Sequence, residues 1–106
     1  MKKNRIEEFV KGWFIGNFQP VLFQTQDFEV AVKMFQAGEK EALHKQLIAT
    51  EVTVVIDGEI QMGDSIFIKG DVITIHPGEF ADFLSISDSS LVCVKFPSLP
   101  NDKVLG

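Results

Sequence analysis

Gly38-Glu39-Lys40-Glu41-Ala42-Leu43-His44-Lys45-Gln46-Leu47-Ile48-Ala49-Thr50-Glu51-Val52-Thr53-Val54-Val55-Ile56-Asp57-Gly58 is the stretch whose reading decides the fold. Its second half, Glu51 to Ile56, is dense in β-branched residues, which favour an extended, pleated backbone. Asp57-Gly58 closes that half with a tight-turn pair. The first half, around Ala42 to Ile48, reads as another strand. Side chains two apart on a strand point the same way, so His44 and Gln46 share a face. A tight connection near Ile48-Ala49 brings Glu51 back alongside them on the neighbouring strand. Imidazole nitrogen and carboxylate oxygen are donors for a first-row divalent metal, and the Gln46 amide oxygen is a weaker one. The same three residues also read as ordinary polar side chains at a strand edge.

Outward from this stretch the chain keeps to period two and short segments. Phe28, Val30, Val32 and Met34 fall on one face and Glu29, Ala31, Lys33 and Phe35 on the other, a strand ending near Ala37-Gly38. Further strands are expected at Glu59 to Met62, Ser65 to Ile68, Val72 to Ile75, Asp82 to Ile86 and Leu91 to Phe96. Each is bounded by Gly, Pro, Asp or Ser clusters. Ile6, Phe9 and Val10 stand at helical spacing within Lys3 to Lys11. That segment predicts one or two helical turns, too short to stand without docking on the body. Many short strands with regular turn signals indicate an all-β sandwich or barrel. With no shift in composition, residues 1–106 read as one domain: an arm over 1–20, a barrel over 21–97 and a tail over 98–106.

Composition narrows the function classes. Hydrophobic residues make up 45% of the 106, with ten Phe and no Tyr, which suits a dry core. The net charge of −5 and the lack of a basic stripe count against nucleic-acid binding. Cys93 is the only cysteine, so no internal disulfide forms. Its apolar setting in Leu91-Val92-Cys93-Val94 reads as a buried, inert thiol. No apolar run approaches a membrane span and no signal-peptide core is present, so the cytoplasm is the expected compartment. Gly-rich phosphate loops, serine nucleophile elbows and paired-Cys zinc patterns are absent.

Two segments resemble the conserved motifs of the cupin superfamily. The first motif runs Gly, five residues, His-x-His, three or four residues, Glu, six residues, Gly. Gly38, His44, Glu51 and Gly58 match it at the right spacing, and Gln46 stands at the second His. The second runs Gly, five residues, Pro-x-Gly, two residues, His. In Gly70-Asp71-Val72-Ile73-Thr74-Ile75-His76-Pro77-Gly78-Glu79-Phe80-Ala81, Gly70 and Gly78 match, His76 stands at the Pro and Ala81 at the last His. The opening Trp13-Phe14-Ile15-Gly16-Asn17-Phe18 and the ending from Lys95 to Lys103 also look like small stand-alone cupins.

The resemblance implies an all-β double-stranded β-helix, or jelly-roll, barrel with a short N-terminal helical segment. It implies a metal centre that in many relatives takes three His and one Glu. Only His44 and Glu51 carry over as strong ligands for iron, manganese, nickel or zinc, with Gln46 a weak third. Asp82, one past the missing His, needs a bulge to turn inward and reads as a surface acid. Glu79 reads as a solvated turn residue. Sugar-nucleotide epimerase chemistry on such barrels uses a Tyr, which this chain lacks. The expectation is a protein that binds a small molecule through His44, Gln46, Glu51 and His76, with a weak divalent-metal site on His44, Gln46 and Glu51. The alternative is a metal-dependent dioxygenase- or isomerase-type enzyme acting on a small metabolite. A homodimer packed sheet on sheet is expected in either case.

Overall fold

Val52, Thr53, Val54, Val55 and Ile56 hold the chain extended, and the larger of two sheets is built around them. The computed structural model describes all 106 residues and contains eleven strands. These are β1 (Trp13–Gly16), β2 (Phe23–Gln24), β3 (Glu29–Phe35), β4 (Lys40–Gln46), β5 (Thr50–Asp57) and β6 (Glu59–Met62). β7 (Ser65–Ile68), β8 (Val72–Ile75), β9 (Ala81–Ser85), β10 (Ser89–Phe96) and β11 (Lys103–Leu105) complete the set. One sheet has the order β2-β1-β3-β10-β5-β8 and the other β11-β4-β9-β6-β7. β6, β7 and β8 have the expected bounds. The arm and the tail are not free segments: they contribute β1 and β11.

The expected hairpin between β4 and β5 is corrected to a corner between sheets. β4 belongs to the five-stranded sheet and β5 to the six-stranded one, so they do not pair. Glu51 therefore faces His44 and Gln46 across the interior. The reason lies in where the amides of residues 47–49 bond. The Asp102 carboxylate accepts from the backbone N–H of Ile48 and of Ala49, each at 2.9 Å. The Asp102 carbonyl accepts from Leu47 N–H at 3.0 Å. With these donors satisfied by a distant residue, the corner needs no ladder of its own.

The expected helical segment is two 3-10 turns, Ile6–Glu8 and Val10–Gly12. Gly12 has φ of 80°, and a Cβ there would run into the Val32 carbonyl. Only glycine lets the arm lie this close to β3.

Ala31, Val55, Ile60, Phe83, Leu91 and Cys93 form the buried core, with Trp13, Phe35, Met62, Phe67 and Ile73 packed on it. Alternation along β3, β5 and β10 sends Ala31, Thr53, Val55, Leu91 and Cys93 inward. By the same alternation Lys33, Lys95 and Glu51 also point inward. Val30, Val32, Met34, Val52, Val54, Ile56, Val92 and Val94 occupy the outer face, which carries no charge among them. Toward one end the six-stranded sheet is thus more polar inside than outside, the reverse of the usual half-buried sheet.

Candidate functional site

The inward charges lie in register. Lys95 of β10 is directly opposite Glu29 of β3 on one side and Glu51 of β5 on the other. Direct cross-strand partners share a face with closely spaced Cβ atoms. Lys95 Nζ lies 3.7 Å from Glu29 Oε1. Burial holds the Glu29 carboxyl above the usual carboxylate range, opposed by the Lys95 charge. One pair deeper, Cys93 is opposite Thr53, with Sγ 3.7 Å from Oγ1. Burial pushes the Cys93 thiol up, so it is no thiolate nucleophile. Lys33 Nζ pairs with Glu41 Oε2 at 3.4 Å. The ammonium groups of Lys33 and Lys95 lie 5.3 and 4.7 Å from the centre of the Trp13 ring.

The facing sheet supplies His44 and Gln46. A register shift between Glu41 and His44 sets the end of β4 and places His44 opposite Ala81 of β9. On the other edge of β4, Lys103 of β11 is opposite Gln46. His44 Nδ1 lies 2.8 Å from the Ala42 carbonyl. A carbonyl only accepts, so Nδ1 is the donor in this contact.

These side chains converge. His44, Gln46 and Glu51 line one interior cavity of about 70 Å³, together with Thr53, Cys93, Lys33, Lys95 and Lys103. Gln46 is 3% exposed and Glu51 8%. No hydrogen bond or ion pair within the protein engages either side chain, and no buried polar atom is sealed off without a partner. Their polar atoms therefore open onto the cavity. A wider cleft of about 700 Å³ adjoins it, between the N-terminal turns and β3 and β4. Cavity and cleft share Lys11, Lys33, Glu41 and Lys103.

His76 is not brought to this group. It sits in an exposed turn, where its backbone N–H donates to Glu79 Oε1 at 3.0 Å. Asp82 is exposed at the cavity rim, and its carboxylate accepts from Gly63 N–H at 2.7 Å. The lysines are what sequence reasoning missed. The signal present was parity: Lys33 alternates with Val32 and Met34, and Lys95 with Val94.

The donor set does not fit a metal. No three His, Cys, Asp or Glu side chains come together in a way that could hold one. Lys103, which forms no ion pair, lines the same cavity as His44 and Glu51 and disfavours a cation there.

The architecture of two facing sheets recurs in solved structures. An uncharacterized conserved protein with a double-stranded β-helix domain from Klebsiella pneumoniae superposes with a TM-score of 0.75 at 19% identity, over 99% of this chain and 91% of its own. An RmlC-like cupin from Shewanella frigidimarina gives 0.65 at 16% identity, over 69% of this chain and 68% of its own. The chain has the cupin fold. A third cupin-fold neighbour, the DMSP lyase DddQ from Ruegeria pomeroyi, gives 0.70 at 18% identity, over 88% of this chain and 49% of its own. No protein-family model matches the sequence, and no curated protein does. At these identities the likeness concerns the cupin architecture and leaves the chemistry to this chain's own residues. No helix is long and apolar enough to cross a membrane.

Proposed function

We propose that this cupin-fold chain binds a small molecule between its two sheets, held by Gln46, Glu51 and His44. The observation that carries the reading is a pair of side chains more than nine-tenths buried whose hydrogen-bonding atoms face a cavity and bond nothing in the protein. Their polar atoms stay accessible from the cavity, and a bound polar ligand supplies the partners that the protein does not. Thermal unfolding against sugars, nucleotide sugars and organic acids tests it: a ligand at 100 times its Kd stabilises by about 2.7 kcal/mol. Gln46→Leu is expected to abolish that shift while leaving the free protein as stable or slightly more so, because no internal hydrogen bond is lost. Silence across the panel, or a Gln46→Leu protein destabilised by more than about 2 kcal/mol, overturns the reading.

The uncharged outer face of β3, β10 and β5 supports a second proposal, that two copies pack sheet on sheet about a two-fold axis. Sedimentation velocity is expected to give a dimer that Val92→Lys dissociates. A wild-type monomer at high concentration contradicts it.

A further inference from the structure

The partnering of the charges around the cavity says what kind of molecule it takes. Lys33 is matched by Glu41 and Lys95 by Glu29. Lys103 forms no ion pair, Glu51 forms none, and the Gln46 amide bonds nothing. Lys11, shared by cavity and cleft, also forms no ion pair, so the unmet groups include two cations, Lys103 and Lys11, the Glu51 anion and the Gln46 amide, which both donates and accepts. Lys103 and Gln46 are direct partners on β11 and β4, while Glu51 faces them from the other sheet. An anionic group complements the Lys103 and Gln46 side, and a hydrogen-bond donor complements Glu51.

Resting on the small-molecule reading above, we infer that the ligand is a carboxylic acid bearing a hydroxyl or amino group on the carbon next to the carboxylate, with an apolar side chain. The carboxylate bonds Lys103 and Gln46, and the adjacent donor bonds Glu51. Burial and the neighbouring charges of Lys33, Lys95 and Lys11 hold the Lys103 ammonium below its usual range, against the pull of Glu41. A carboxylate at that place relieves the repulsion.

Size sets the division of the ligand. Liquid water takes about 30 Å³ per molecule, so the cavity of about 70 Å³ admits a head group and little else. The remainder passes into the adjoining cleft of about 700 Å³, whose walls include Ile6, Phe9 and Phe35. The lining is mixed, with Glu7, Lys11, Glu39 and Lys40 also in it, and an aliphatic side chain finds its contact on Ile6, Phe9 and Phe35.

Calorimetric titration of the full wild-type chain with four probes tests the inference: leucine, 2-hydroxy-4-methylpentanoate, 4-methylpentanoate and leucinol. The first two carry both groups, the third lacks the donor and the fourth lacks the carboxylate. Leucine or the hydroxy acid is expected to bind at least tenfold more tightly than either truncated probe, each lost charged hydrogen bond weakening the complex by about that factor. Whichever of the two binds more tightly identifies the donor as amine or hydroxyl. Lys103→Met lies on an exposed edge strand and is expected to weaken the better probe tenfold or more with no fall in melting temperature. Equal binding of 4-methylpentanoate or leucinol overturns the inference, as does unchanged affinity in Lys103→Met. If a neutral sugar binds in a Gln46-dependent way and the acids do not, this inference fails and the small-molecule reading stands. If neither the acids nor the wider panel binds, both fail.

Discussion

Asp102→Ala is expected to lower the unfolding free energy by about 3 kcal/mol, because two charge-assisted hydrogen bonds contribute roughly 1.5–3 kcal/mol each and not all of it is lost when water enters. For a domain of this size that is a fall in Tm of roughly 12–20 °C. Asp102 is 7% exposed, and its two carboxylate oxygens bond the amides of Ile48 and Ala49. It sits next to Lys103, the first residue of β11. One side chain therefore fixes both the corner that carries Gln46 toward Glu51 and the strand that carries Lys103. Hydrogen exchange is expected to quicken in β11 and at residues 47–49 before the rest of the barrel. A loss below about 1 kcal/mol would mean that the corner holds without the carboxylate.

Phe83→Ala is the second large effect, about 3–5 kcal/mol, the range for deleting a buried aromatic ring and leaving a void. Phe83 is 3% exposed, and its ring centre is 4.5 Å from that of Phe35. It belongs to the core and also lines the cavity, so its removal joins the new void to the existing space. The variant is expected to accept bulkier head groups while melting earlier. Met34→Ala on the outer face, at 62% exposure, is the control and should change the monomer's stability by less than about 0.5 kcal/mol. Similar losses in the two variants, read from urea denaturation, would contradict the assignment of inner and outer faces.

Much of the barrel was legible because its signals are local. The β-branched run at β5 and the turn residues around β6, β7 and β8 each act within a few residues, and those strands stand where they were expected. The corner after β4 was not legible, because what decides it is a carboxylate 53 and 54 residues further along the chain. The strands β1, β2 and β11 are two to four residues long, too short for a period to show. In the site, alternation alone aligns His44 with Gln46, and both reach the cavity with Glu51. His76 holds a motif position, yet the turn in which it sits lies exposed outside the cavity. Lys33 and Lys95 escaped because a lysine on a strand ordinarily marks the wet face. Here each enters the barrel and pairs with a glutamate, and the apolar residues that alternate with them face outward.

The most direct test is a crystal structure grown with the panel compound that raises the melting temperature most. Ligand density between the sheets, within about 2.7–3.2 Å of both the Gln46 amide and the Glu51 carboxylate, is the predicted result. Density only on the outside of the barrel, or Gln46 and Glu51 turned to bond partners within the protein, would contradict it.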